Sequence, residues 1–269
     1  MAALHADRTG ALAAGPVLVT DGAPAPRTGV AGRSGLTHVA DSGDAHGTHF
    51  GRVPYQDPGR PERMRQFVVI GHEVSTDPAD ISLSDLPGAG RLDLLCRCVA
   101  TGVFLSHGIR EAVRVHLVVA DEFTITSDSD TLRHLHPDER NVAARVRDAL
   151  DATADAIGHM PADVSPGVEL RRMGLEATLD RLLDGGGSGA AADPTLVHLH
   201  EDGDPLVDAA PPTDPVFVLS DHRDFTDREK SLLAERAERR VRVGPELLHA
   251  DHTVSVVHNW LDTDGYESY

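Results

Sequence analysis

The chain has 269 residues, with 43 Asp and Glu against 25 Lys and Arg and a formal charge of −18, a balance that argues against a blanket electrostatic grip on nucleic acid or anionic membrane while leaving room for local basic patches. Its longest apolar runs, such as Val113 to Ala120, fall far short of the roughly 18 residues a spanning helix needs, and a chain this long is one large domain or two small ones with a substantial core. The two cysteines, Cys96 and Cys98, lie too close to staple a fold and match neither a zinc knuckle nor a CxxC motif, so a reducing, cytoplasmic setting is expected; Lys230 is the only lysine, and an acidic, arginine-based composition fits a high-salt cytoplasm.

Residues 1–63 are dominated by Ala, Gly, Pro, Thr and His, with no apolar periodicity of 2 or 3.6, and read as a disordered extension. Six basic and six acidic residues balance there, so the whole acidic excess lies on 64–269. The apolar stretch near Ala11 to Thr20 is broken by Gly15-Pro16 and preceded by Asp7, which makes a poor secretory signal. Met64 opens the first strand-like run, so the functional protein is expected to start there, with a misassigned start upstream; the other reading is a flexible tail.

From Met64 the pattern alternates strand and helix. Arg65 to Ile70 reads as a buried strand ending at Gly71. Leu92, Leu95, Val99 and Val103 recur at helical spacing after the turn Asp85-Leu86-Pro87-Gly88, predicting an amphipathic helix to about His107. Val113 to Val119 is a second central strand. Pro137 is placed as the first residue of a helix continued by Val142, Val146 and Leu150. Ser165 to Leu170 is a short strand or turn, and Leu175, Leu179, Leu182 and Leu183 mark a helix that stops at Gly185-Gly186-Gly187, with Gly185 to Ala192 as a mobile loop. Short strands follow at Leu196 to His200, Pro215 to Leu219 and Arg239 to Val243, with helices at Thr226 to Glu238 and Asp251 to Asp262. Strands separated by helices imply a largely parallel sheet covered on both faces, with ligands at the carboxyl ends of the strands. The loops after Leu199, Leu219 and Val243 are therefore the ones to inspect.

Three constellations carry possible chemistry. Gly88-Ala89-Gly90 is an incomplete GxGxxG, because Asp93 stands where the third glycine belongs, and a turn feeding a helix explains it as well. Histidines and carboxylates cluster at His134, His136, Asp138 and Glu139, at His198, His200, Glu201 and Asp202, and at His249, Asp251, His252 and His258. Such groups could hold zinc or iron in a metallohydrolase, but no HExxH is present, and satisfied loop and cap histidines account for them; no metal is expected. Arg91, Asp93 and Arg97 bring a carboxylate and two guanidiniums together at a helix start, with a surface i, i+4 pair as the plain alternative.

The segments FVVIGH from Phe67, DLPGAGRLDLLCRCV from Asp85, FLSHGIR from Phe104, HLHPDER from His134, SPGVELRR from Ser165, LHEDG from Leu199, DPVFVLSDH from Asp214, and VGPELLHADH with VVHNWLD stand in one order from Met64 to about Asp262. In these the chain resembles the archaeal TrmY family, tRNA pseudouridine(54) N1-methyltransferases of the SPOUT superfamily. The resemblance implies an α/β SPOUT fold, a parallel sheet with helices on both faces whose C-terminal segment makes a deep trefoil knot. It implies a homodimer that binds S-adenosylmethionine in the knot and acts on the T-loop of tRNA. Carried onto this chain, the cofactor pocket would use Leu199, Leu219, Ser220, the stretch Val243, Gly244, Pro245, Glu246, Leu247 and Leu248, and Thr253. Relatives usually have Gly in place of Ser220 and Cys in place of Thr253. A serine resists a left-handed backbone, so either that position is not left-handed here or the loop has shifted. Asp93 would accept or orient the N1 proton of pseudouridine, Arg91 would bind the base or a neighbouring phosphate, and Arg97 would support Asp93. Arg110, Arg114, Arg171 and Arg172 are the candidates for the positive patch that an acidic enzyme needs for tRNA, with solvated surface charge as the equal alternative. A pseudouridine methyltransferase of ribosomal RNA and a non-catalytic SPOUT RNA-binding protein remain the alternatives.

Overall fold

The structure is a computed structural model that describes residues 64–157, 160–184 and 193–269. The expected disorder of 1–63 and the expected mobile loop 185–192 lie outside the described residues.

Among the described residues an eight-stranded sheet runs in the order β10-β8-β9-β1-β4-β5-β7-β6. The strands are β1 (Arg65–Gly71), β4 (Val113–Val119), β5 (Phe123–Asp128), β6 (Ala162–Ser165), β7 (Val168–Arg171), β8 (Thr195–Pro205), β9 (Pro215–Ser220) and β10 (Arg239–Arg242), while β2 (Phe104–Leu105) and β3 (Gly108–Ile109) form a small separate pair. The helices are α1 (Leu92–Val103), α2 (Glu139–Asp151), α3 (Leu175–Leu183), α4 (Asp227–Arg236) and α5 (Ala250–Asp262).

The five strands from β10 to β4 are parallel, as the alternation of elements predicted. The other edge corrects it: β4, β5, β7 and β6 pair antiparallel. Strand β5 has no clear sequence signal, because TIT in Phe123–Asp128 alternates polar and apolar residues within a segment too short for a firm period. The stretch Ser165 to Leu170 is not one strand. It contains the turn of the β6–β7 hairpin, where Gly167 takes φ +81, a left-handed geometry that glycine adopts without a Cβ clash.

Strand β1 sits between β4 and β9 with both faces covered, which is why FVVI is apolar at every position. Phe67, Val69, Val115 and Leu117 join Leu92, Leu95, Val99, Val146, Val254 and Trp260 in the core beneath α1, α2 and α5. Val68, Ile70, Val118, Val216 and Val218 face Leu175, Leu179 and Leu233 of α3 and α4.

Helix α1 ends at Val103 rather than near His107, because Phe104 turns extended and begins the β2–β3 pair. Pro137 precedes α2 instead of opening it. Asp138 is the cap, extended at φ −122, and its carboxylate accepts from the Arg140 amide, which leaves Glu139 as the first helical residue. Strand β8 runs on to Pro205, beyond the expected end at His200, because its outer half pairs with β10 after a bulge.

Candidate active site

The carboxyl ends of neighbouring parallel strands build the site, as the topology requires. His198 pairs with Val218 and with Arg240, so Leu199 and Leu219 follow on adjacent strands beside β10. Ile70 pairs with Ser220, which sets the turn after β1 next to the turn after β9. Leu199 and Leu219 are buried, and Val243 packs on the same core. Past Val243 the chain is open: Pro245 and Glu246 are exposed, Leu247 is 77% exposed, and nothing lies within 4 Å of the space beside Gly244. Leu248 is half-buried, and Thr253 is buried within α5.

Ser220 resolves the question its residue type raised. It is absent from the left-handed residues, so no glycine is needed there, and its hydroxyl donates to the Arg223 carbonyl at 2.6 Å.

A second feature of these turns has no counterpart among the expected site residues. His72, immediately after β1, donates its amide to Asp221 Oδ2 at 2.9 Å, and its ring bridges Asp221 Oδ1 at 3.0 Å and Glu229 Oε2 at 3.1 Å. Glu229 also accepts the Thr226 amide in the capping box of α4. The bond to Asp221, then that to Glu229, raises His72 to about 9 against the opposing effect of burial. Burial pushes Asp221 and Glu229 up, but the hydrogen bonds from His72 lead the effects that hold both carboxyls low. An imidazolium between two carboxylates thus ties the turn after β9 to β1 and to the start of α4. Its sequence signal was the His that ends FVVIGH, found only if the strand-end rule is applied to β1 as well.

Beside these turns lies the Arg91–Asp93–Arg97 cluster. Gly90 is left-handed at φ +69, and a Cβ on it would collide with the Glu73 backbone, which anchors this turn to the end of β1. The glycine pair is therefore a turn feeding a helix. Arg91 follows at φ 61 as the cap of α1, and Asp93 sits in the first helical turn, where the helix dipole favours a carboxylate. Arg91 grips Asp93 bidentately, Nε to Oδ1 at 3.0 Å and Nη2 to Oδ2 at 3.2 Å. Arg97 Nη1 donates to Asp93 Oδ2 at 2.8 Å, supporting Asp93 as expected, and Arg97 Nε reaches Asp251 Oδ2 at 3.1 Å. Glu139, the first residue of α2, accepts from Arg97 at 3.4 Å. The plain surface-pair reading fails on burial: the Asp93 side chain is only 9% exposed. Burial raises its carboxyl, and the bonds from Arg91 and Arg97 outweigh that, so Asp93 lies below the usual carboxylate range and is ionised at neutral pH.

Two of the clustered histidines have structural roles. His198 packs edge-on against Phe225 with centroids 4.7 Å apart, and burial holds it down to about 4. His258 accepts from Arg65 and donates to the Gly102 carbonyl under Phe67, with burial keeping it neutral. No group of three or more His, Cys, Asp or Glu among the described residues is placed to hold a metal. Both cysteines are free and buried, and burial pushes their thiols up. No helix of the described residues is long and apolar enough to cross a membrane.

The four arginines expected to form one patch are dispersed. Arg110 pairs with Asp262, Arg114 with Asp128, Arg171 with Glu169 and Arg172 with Glu122. Arg114 and Arg171 line a common cleft.

Residues 64–266 match the family described as "Putative SAM-dependent RNA methyltransferase". The chain belongs to this family. A relative from Halorubrum lacusprofundi named tRNA (pseudouridine(54)-N(1))-methyltransferase is 86% identical over 207 residues, 77% of this chain and 100% of the relative. Relatives of the same name are 58% identical in Haloferax volcanii, over the same shares, and 38% identical in Methanococcoides burtonii, over 74% of this chain and 96% of the relative. Among solved structures, the chain is similar to Archaeoglobus fulgidus Nep1 bound to S-adenosylhomocysteine, at 15% identity and TM-score 0.49 over 73% of this chain and 96% of that one.

Proposed function

We propose that this protein methylates N1 of pseudouridine 54, in the T-loop of tRNA, using S-adenosylmethionine. The observation that carries the reading is the ionised, buried Asp93 held between two guanidiniums beside the strand-end turns, in a chain 86% identical to a relative of that name.

The residues present fit the cofactor. Leu199, Leu219 and Val243 offer apolar walls, the side of Gly244 is open, and Asp251 Oδ1 is a buried acceptor with no partner among the described residues, suited to a ribose hydroxyl or an amino group. Bound S-adenosylmethionine would supply a methyl group on a sulfonium. The protein's task is then to present a nitrogen about 3 to 3.5 Å away and in line.

A carboxylate has about four lone-pair positions. Asp93 Oδ2 accepts two hydrogen bonds and Oδ1 one, so the open in-plane lone pair of this cluster is on Oδ1. We assign that lone pair to the N1–H of pseudouridine, which Asp93 orients and relieves of its proton. Arg91 keeps one nitrogen, Nη1, without a partner among the described residues, and its side chain is 33% exposed, so it can reach a carbonyl of the base or a neighbouring phosphate while still gripping Asp93. The base has to leave its stack to arrive there.

We further propose a C-terminal trefoil knot, a homodimer and a cytoplasmic location. Threading is supported by the return of the chain after the edge strand β10, which carries α5 back against α1, where Asp251 meets Arg97. Dimerisation beside the cofactor turns is supported by exposed Leu247, and a reducing compartment by the two free thiols.

Asp93→Asn keeps the shape and removes the charge. It is expected to lower turnover at least about a hundredfold while S-adenosylhomocysteine affinity, read by calorimetry, stays within about twofold. Unchanged turnover removes Asp93 from the mechanism. No heat from the wild-type protein removes the cofactor site.

A further inference from the structure

The face of the sheet beneath α3 changes character along its length. Under α3 and α4 it is Val68, Ile70, Val118, Val216 and Val218. Toward the antiparallel edge the same face becomes Gln66, His116, Thr126 and Glu169, and there α3 leaves a cleft of about 260 Å³. His116 is buried between Thr126 Oγ1 at 2.9 Å and Gln66 Oε1 at 3.2 Å. Burial first, then Arg114, keeps it uncharged, down to about 3. It therefore adds polarity to the floor and no charge.

Three guanidiniums converge on this cleft from three elements: Arg114 on β4, Arg171 on β7 and Arg181 on α3. Asp128 answers Arg114 at 2.8 Å, and Glu169 answers Arg171 at 3.0 Å. Arg181 has no hydrogen bond or ion pair among the described residues, although it is half-buried and lies in the field of the other two cations, which Glu169 offsets only in part. Across the cleft the hydroxyl of Ser165 is buried and has no partner either. An unanswered cation and an unanswered hydroxyl lining one cavity are complementary to an oxyanion, and two structural ion pairs hold the walls in place without it. Asp163, exposed at the rim, disfavours a second negative group and suits a single phosphodiester charge.

We propose that this cleft holds a phosphate of the RNA substrate's backbone, gripped by Arg181 with the Ser165 hydroxyl and flanked by Arg114 and Arg171. The proposal rests on the RNA-methylating function above. It adds a contact on the α3 face of the sheet, whereas the Asp93 cluster lies on the α1 face.

The test compares full-length wild type with Arg181→Ala, which leaves both flanking ion pairs intact, and with Arg181→Lys. Binding of unmodified tRNA is measured across salt concentrations, with S-adenosylhomocysteine affinity and methyl transfer at saturating tRNA alongside. Loss of one phosphate contact is expected to weaken tRNA binding about tenfold and to make the slope of log K against log salt shallower by about 1, with most of the slope restored by Lys. Cofactor affinity and methyl transfer at saturation should not change. Inorganic phosphate should raise the melting temperature of wild type and not of Arg181→Ala. A phosphate-dependent shift with unchanged tRNA slopes would overturn the RNA assignment in favour of a free phosphate. Equal slopes and equal phosphate response overturn the site altogether. Wild type that binds tRNA but transfers no methyl group refutes the enzymatic reading instead, so the two failures are distinct.

Discussion

The clamp formed by His72 makes a pH-dependent contribution to stability whose sign and size follow from its surroundings. Raising a histidine from 6.5 to about 9 corresponds to about 3 kcal/mol at roughly 1.4 kcal/mol per pH unit, and the side chain is 15% exposed, so solvent screening removes little of it. Because the folded value is the higher one, the contribution is complete below pH 6.5 and is lost as pH rises through 9. Asp221 and Glu229 are held low and stay ionised over that range, so they add no slope of their own. His72→Gln is expected to be less stable than wild type by about 3 kcal/mol at pH 6, with the gap closing between pH 6.5 and 9 and only a packing difference left at pH 10. Urea unfolding of both proteins at matched ionic strength reads this directly. A gap that stays constant from pH 6 to 10 would refute the assignment of His72 as a charged bridge.

Gly90→Ala places a side chain at a left-handed position against the Glu73 backbone, so it should cost at least about 1 kcal/mol in urea unfolding and, by shifting Arg91, lower turnover more than it lowers S-adenosylhomocysteine affinity. Ser220→Gly relieves no strain, because the backbone there is not left-handed; it removes the bond to the Arg223 carbonyl and should destabilise by roughly 0.5 to 1.5 kcal/mol, whereas a gain in stability would show that the turn was misread.

The parallel half of the fold was legible because its signals are local. A continuous apolar run makes β1, a 3.6-residue stripe makes α1, and Thr226 with Glu229 spells a capping box at the start of α4. The antiparallel edge was not, since β5, β6 and β7 are short and half polar, and the long-range pairing that specifies them leaves little mark on periodicity. In the site, Arg91, Asp93 and Arg97 could be grouped from i, i+2 and i+6 spacing at a helix start. Asp251 and Glu139, which complete the network around Arg97, are 154 and 42 residues away from it. His72 and Asp221 meet across 149 residues through the strand register alone. Arg181 is set apart only by the packing of α3 over a polar floor, which no local pattern in the sequence carries.

Whether the carboxylate at position 93 directs methylation to one ring nitrogen of a pseudouridine is read by incubating tRNA carrying pseudouridine 54 with the full-length protein and methyl-labelled S-adenosylmethionine, then resolving the nucleosides by mass spectrometry. Label is expected in N1-methylpseudouridine from position 54 with wild type and almost none with Asp93→Asn. Label on another nucleoside, or equal labelling by both proteins, would contradict it.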